Sequence, residues 1–224
     1  APAPLSQPAG VPGPPAEPAA PLPALNFAAD DADHAETPLQ AHAHLLPYLR
    51  RVAARVGVPL ADLRIYDPYY CTGQARRNLA QLGCGAVHNE NEDFYARVAA
   101  GTVPPHDVLV TNPPYTAGHV ERLLAFCAAR PEPCALLMPS YVYTRACFAP
   151  SAASFCFLTP PRRYKYRSPS AVANARGEKR KSGSGSSGSV TSPYASFWYL
   201  KPGEALEGVR AWWEEAVPAG EKDG

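Results

Sequence analysis

A doubly wound α/β domain with a mostly parallel sheet is the fold class this sequence predicts. Three observations predict it. Short apolar runs alternate with amphipathic stretches of helical length, the pattern of strand–helix–strand units. The stretch Val108 to Tyr115 reads V-L-V-T-N-P-P-Y, a near-continuous apolar run that stops at an asparagine and two prolines. A buried parallel strand has that form, and the prolines stiffen the loop at its carboxyl end, where open α/β sheets hold their ligands. Finally, Leu63-Arg64-Ile65-Tyr66-Asp67 reads as a strand, followed by a turn through Gly73 into a helix from Gln74 to Leu82. A strand, a small-residue turn and a helix N-terminus make the half of such a fold that cradles a phosphate or a cofactor.

The elements follow in chain order. Residues 1–29 are rich in proline and alanine and read as a disordered tail; much of the chain's total of 27 prolines lies there. Asp30 to His34 is an acidic run that reads as a solvated end of that linker. Glu36-Thr37-Pro38 then opens a helix from Leu39 to Val56, with Leu45, Leu49, Val52 and Val56 at helical spacing and Thr37 as its start. Pro47 predicts a break or kink within it. Gly83-Cys84-Gly85 ends the second helix, and Ala86-Val87-His88 is a short second strand. After the Val108 strand come an amphipathic helix over Ala117 to Ala129, a buried strand over Ala135 to Pro139 and a short helix over Tyr141 to Phe148. Phe155 to Leu158 and Ala195 to Leu200 are two aromatic-rich strands. A basic, then Gly/Ser-rich insertion at 160–193 separates them. A last helix, Val209 to Ala216, carries Trp212 and Trp213. The domain spans 30–217, and 218–224 is a C-terminal tail.

Composition narrows the function classes. With 224 residues, 18% of them charged, the chain has room for one domain with a sizeable core. A formal net charge of +1 excludes a global basic field, so any affinity for nucleic acid rests on a local patch. The six cysteines form no C-x-x-C pair and no regular spacing; they read as reduced core residues of an intracellular protein. His42 and His44 do not share a helix face, and no downstream pair completes a tetrahedron, so no metal site is predicted. No run of about 18 apolar residues is present to span a membrane, and the start has neither the charged nor the apolar part of a signal peptide. The first residue is alanine, which leaves a longer parent chain open.

Asn112-Pro113-Pro114-Tyr115 resembles the N-P-P-Y signature of S-adenosylmethionine-dependent amino methyltransferases, chiefly N6-adenine enzymes, with glutamine methyltransferases as a protein-directed branch. Asp67-Pro68-Tyr69-Tyr70-Cys71-Thr72-Gly73 is similar to their D-P-x-C-G-S/T-G turn, with Cys71 standing where the pattern has its first glycine. Thr37-Pro38 upstream of the first strand, Asp93-Phe94 after the second, and Ser192 to Ser196 before the last strand complete an order that parallels the gamma arrangement over roughly residues 34 to 201. The resemblance implies the Rossmann-like, class I methyltransferase fold, its last two strands paired as a terminal antiparallel hairpin, with S-adenosyl-L-methionine as cofactor. It implies that Thr37, Pro38, Asp67, Tyr70 and Gly73 surround the cofactor's methionine end, that Glu90 accepts from its ribose, and that Asp93 and Phe94 hold its adenine. The region after the second strand is short; the helix and strand usual there are missing.

The chemistry implied is methyl transfer to an exocyclic amine, whose lone pair is delocalised into the ring. Acceptors for the amine's hydrogens localise that lone pair, and Asn112 through its side-chain oxygen and Pro113 through its carbonyl are acceptors of that kind. Tyr115 offers a face for an extruded base, and Tyr69 or Tyr70 a face for a cationic sulfur. The same acceptors serve a glutamine amide, so protein substrates stay open, as does a catalytically silent fold kept for binding or assembly. DNA or RNA is the expected partner because Arg162, Arg163, Lys165, Arg167, Arg176, Lys179, Arg180 and Lys181 oppose only Glu178 in one stretch. Tyr164 and Tyr166 alternate with the first cations, which suits phosphate contact combined with stacking.

Overall fold

A computed structural model describes residues 36–115, 118–166, 190–191, 194–204, 207–209 and 211–212. The expectations for the two tails, the acidic run, Ala117, Arg167 with the remainder of the insertion to 189, Ser192, Pro193 and Trp213 fall outside those residues. Helix α1 (Leu39–Val56) turns Ala41, Leu45, Tyr48, Leu49, Val52 and Ala53 inward at the 3.6-residue period. It stops at Gly57, whose φ of 80° is the left-handed conformation in which its N–H reaches back to the Ala53 carbonyl at 2.9 Å. Two expectations are corrected here. The helix is continuous through Pro47, because tertiary burial of one long apolar stripe outweighs a single missing N–H. Thr37 does not cap it; the helix follows Pro38 without a side-chain cap.

The main sheet takes β1 (Ile65–Tyr66), β2 (Val87–His88), β3 (Val108–Thr111), β4 (Cys134–Pro139), β5 (Cys156–Leu158) and β8 (Ser196–Lys201) in the order β2-β1-β3-β4-β8-β5. The first four are mutually parallel, and β8 runs antiparallel to both β4 and β5. The fold is therefore α/β with a mixed, mostly parallel sheet. The strand pair expected at the end of the domain is present, with β8 lying between β4 and β5. After the edge strand β2 comes only α3 (Phe94–Ala99) before β3, so the described residues put no strand outside β2.

Successive residues of β3 and β4 point to opposite faces. Val108, Val110, Ala135 and Leu137 join α1, Trp198 and Leu200 on one side. Leu109, Leu136 and Met138 join α4 (His119–Ala128) and Tyr199 on the other. Trp198 is fully buried and its indole N–H donates to the Ala41 carbonyl at 3.0 Å, tying α1 to β8. Helix α2 (Gln74–Gln81) packs beside α1. The helix expected over Tyr141 to Phe148 is instead a 3-10 segment, Ser140–Thr144, followed by a turn, and a second 3-10 segment, Ala149–Ser154, comes after it. Aromatic and β-branched residues favour a helix weakly, and the Tyr199 hydroxyl satisfies the backbone there, accepting from the Tyr143 N–H at 3.1 Å and donating to the Pro139 carbonyl at 2.9 Å. The two ends of the insertion, β6 (Lys165–Tyr166) and β7 (Val190–Thr191), form a separate antiparallel ribbon. Residues 207–209 and 211–212 are helical, and the Arg51 guanidinium stands 5.6 Å from the Trp212 ring centre.

Candidate functional site

The chain passes from β1 outward to β2 and then returns to lay β3 on the other side of β1. The crevice between β1 and β3, at their carboxyl ends, is where the strand order reverses and where sheets of this kind bind ligands. Asp67 ends β1 and Asn112 ends β3. The Thr111 hydroxyl donates to Asp67 Oδ1 at 2.6 Å, joining the two loops, and the Tyr69 N–H donates to the same oxygen at 3.3 Å.

Asp67 is buried. Burial pushes its carboxyl up to about 7; the two hydrogen bonds oppose that, and the Glu36 carboxylate adds to it. The pH dependence follows. Between about 4 and about 7 the folded chain keeps a proton that the unfolded chain, titrating near 3.8, has released. Stability therefore falls as pH rises through that window and levels off above it. Each tenfold change in proton affinity is worth about 1.4 kcal/mol, so the fall is on the order of 4 kcal/mol over the whole window and about 3 kcal/mol between pH 5 and pH 8. Urea denaturation at pH 5 and pH 8 is expected to show that difference in the parent and a much smaller one in Asp67→Asn. An equal slope in both proteins would refute the assignment.

Around this acid the turn closes in three layers. Gly73 is buried with φ at 75°, and a Cβ built there meets the Tyr70 ring at 3.4 Å. Only glycine adopts that conformation without strain while leaving the backbone bare. Thr37 and Pro38 lie over the turn, held by the Asn78 side-chain amide, which donates to the Thr37 carbonyl at 2.9 Å. The Thr72 hydroxyl donates to the Glu36 carboxylate. Burial first, and then Glu36, push the Cys71 thiol up, so Cys71 is a protonated, poor nucleophile in this position.

On the β3 side, the Tyr115 hydroxyl donates to Asn112 Oδ1 at 2.5 Å and also approaches the Leu137 carbonyl at 3.3 Å. Tyr115 is thus folded down on Asn112, its phenol pushed well above its ordinary value by burial. It fixes the amide's orientation, where the sequence had cast it as an open stacking face. The buried hydroxyls of Tyr166 and Ser196 lie close enough to Tyr115 to bias its titration. Neither has a hydrogen-bond partner of normal geometry among the described residues.

Other expected residues already have local partners. Asp93 is exposed and caps α3, accepting from the Tyr95 and Ala96 N–H groups at 2.8 and 3.1 Å. Phe94 is buried in the core, its ring 5.2–5.5 Å from Phe126 and Tyr69. Both are thus committed locally: a carboxylate beside helical N–H groups caps them, and a ring one residue on turns inward. Tyr69 is drawn the same way, its hydroxyl 2.8 Å from that of Tyr95. Glu90 is exposed and paired with Arg76 at 2.6 Å. Its neighbour Asn89 is the buried one: its amide donates to the Asp67 carbonyl at 3.2 Å, and its Oδ1 has no partner among the described residues. Strand alternation signalled this, since Val87 and Asn89 share the inward face of β2 and its extension. Glu36 and Thr111 carried no motif signal; only packing brings them to Asp67.

In the basic stretch, Arg162, Arg163 and Lys165 are exposed. Tyr164 and Tyr166 are buried, at 2% and 5% exposure, which corrects their expected role as stacking platforms. The Tyr164 hydroxyl is hydrogen-bonded to His44 Nδ1 at 2.9 Å. The period of 2 sends the tyrosines inward as anchors and the cations outward. His42 is buried, and burial lowers its imidazole to about 4, so it is neutral. All six cysteines are free thiols. No described helix is long and apolar enough to cross a membrane.

Compared with family models, with curated proteins and with solved structures, the chain matches none.

Proposed function

We propose that this chain is an S-adenosylmethionine-dependent methyltransferase of class I fold that modifies an exocyclic amino nitrogen, N6 of adenine in DNA or RNA. One observation carries the reading: the Asp67 turn and the N-P-P-Y loop, distant in sequence, meet at the switch point through the Thr111–Asp67 hydrogen bond. The strand order, with β8 antiparallel between β4 and β5, supports the same fold.

The residues present fit the cofactor. Gly73 leaves a bare backbone that a Cβ would fill, and Asn89 Oδ1 is a buried acceptor in want of a donor. Asp67 and Glu36 are acceptors for the methionine ammonium, Asn89 in place of Glu90 is the acceptor for ribose, and Thr37 and Pro38 cover the methionine end. When bound, the cofactor supplies a methyl group on a cationic sulfur. This chain's own part is to aim the acceptor. Asn112 Oδ1 and the Pro113 carbonyl accept the amine's hydrogens and draw its lone pair out of the ring. An amide oxygen has two lone pairs, so Asn112 can accept from Tyr115 and from an amine at once. The Tyr115 hydroxyl holds the amide in that orientation. No group in this scheme has to take a proton before the methyl group moves. The exposed cations Arg162, Arg163 and Lys165 supply the attraction for a nucleic acid backbone. A second reading, a fold retained for binding, is favoured by the Cys71 side chain at the turn, which adds bulk where the related pattern has glycine.

The test is calorimetry with S-adenosylhomocysteine, followed by transfer of labelled methyl groups to unmethylated DNA, RNA and glutamine-containing peptides. Binding with label in nucleic acid is the expected result. Label in peptide alone would shift the substrate to glutamine amides. Binding without transfer to any of them would favour the retained-fold reading, and no binding would refute the proposal.

A further inference from the structure

Three aromatic rings of the described surface stand unusually open: Tyr143 at 53% exposure, Phe157 at 46% and Tyr194 at 54%. Scattered exposed apolar residues need no explanation, but these three converge. Pro139 at the end of β4 is in register with Ser196 at the start of β8, so Tyr143, which follows β4, and Tyr194, which precedes β8, leave the same end of the sheet. Strand β5 ends at Leu158 opposite Trp198, close to that end. Phe157 and Tyr143 have ring centres 6.2 Å apart, and Tyr194 meets Tyr141 edge-on at 4.7 Å. It is also the end that carries Asn112.

The Phe157 ring and the Tyr143 backbone are held from beneath. Phe157 stands edge-on to Tyr199 and Phe197, with centres 5.1 and 5.3 Å apart. Tyr143 is fixed through its backbone N–H, which donates to the Tyr199 hydroxyl. A ring that is exposed but already immobilised loses little entropy on stacking, so it is a pre-built platform. The exposed cations are joined to these strands by short lengths of chain. Arg162 follows Leu158 by four residues, at most about 14 Å of extended chain. Lys165 pairs with Thr191, three residues and about 10 Å of chain from Tyr194.

We propose that Tyr143, Phe157 and Tyr194 form a stacking subsite for unpaired bases flanking the acceptor, with Arg162, Arg163 and Lys165 holding the phosphates of the same single strand. The occupant is single-stranded nucleic acid. Duplex bases are already stacked on one another and offer no face to a ring, whereas an unpaired base does. Adjacent cations favour a polyanion over an apolar protein segment. This inference rests on the nucleic-acid reading of the function.

The experiment measures fluorescence anisotropy of a labelled single strand of mixed sequence, as DNA and as RNA, and of its duplex, over a range of salt. Tyr143→Ala with Phe157→Ala is expected to weaken single-strand binding about 5- to 100-fold for each stack lost, leaving the salt slope and duplex binding as in the parent. Tyr143→Phe with Phe157→Tyr, which keeps both rings, is expected to bind as the parent does. Arg162→Gln, Arg163→Gln and Lys165→Gln together are expected to flatten the salt slope for both forms. If the alanine pair, folded by circular dichroism, binds single strands as tightly as the parent, the subsite is refuted while the nucleic-acid reading stands. Equal losses for single strand and duplex would also refute it. So would loss of a parental self-association in the alanine pair by sedimentation, which would assign the rings to a second copy of the chain. A parent that binds no nucleic acid at low salt overturns the subsite and the reading beneath it together.

Discussion

Asn112→Ala is expected to slow methyl transfer by about 10²–10³, the cost of removing one preorganised polar contact to the reacting group. Binding of S-adenosylhomocysteine should stay near that of the parent, because Asn112 ends β3 while the proposed cofactor residues Asp67 and Gly73 belong to the β1 side. The substitution also strands the Tyr115 hydroxyl, which in the parent donates to Asn112 and approaches the Leu137 carbonyl. Part of the loss could therefore come from a displaced tyrosine, and Tyr115→Phe separates the two. That variant keeps the ring and the Asn112 amide, removes the hydroxyl with its contacts to Asn112 and to the Leu137 carbonyl, and is expected to lose less than Asn112→Ala. Single-turnover kinetics with saturating cofactor is the measurement. Equal rates for Asn112→Ala and the parent would remove Asn112 from the chemistry.

Gly73→Val is expected to lose cofactor binding beyond calorimetric detection, about 100-fold or more, which corresponds to about 2.7 kcal/mol. Its φ of 75° belongs to the left-handed region, where a β-branched side chain is strained by roughly 1–2 kcal/mol. The new side chain must also displace the Tyr70 ring, which a Cβ alone already meets at 3.4 Å. Gly73 lies in the turn, outside the two apolar cores, so the variant should remain folded with a lowered melting temperature. Cofactor affinity like the parent's in a folded Gly73→Val would mean that the cofactor does not use this turn.

The two loops of the candidate site are legible in the sequence, and most of their wiring is not. Asn112 and Gly73 sit in short local motifs whose backbone demands, a breaker after a buried run and a left-handed turn, are written in neighbouring residues. Glu90 carries the stronger chemical signal because it is a carboxylate, although period-2 alternation favours Asn89, the residue in phase with Val87. The chemistry of R-R-Y-K-Y suggests stacking faces, but its period of 2 turns both tyrosines inward. Asp93-Phe94 matched a motif, but a carboxylate one residue before a helix satisfies the helix's own N–H groups first.

By itself the sequence determined the α/β class, the apolar runs that become β3 and β4, the amphipathic stripes of α1 and α4 and the two loops carrying Asp67 and Asn112. These depend on spacing within a few residues, where backbone geometry translates pattern directly into structure. Only the tertiary structure decided that α1 runs unbroken through Pro47, that β8 inserts between β4 and β5, that Thr111 bonds Asp67 across 44 residues and that Tyr115 folds onto Asn112. Each is a choice among partners or orientations that local propensity leaves nearly equal in energy, and burial against distant residues settles it.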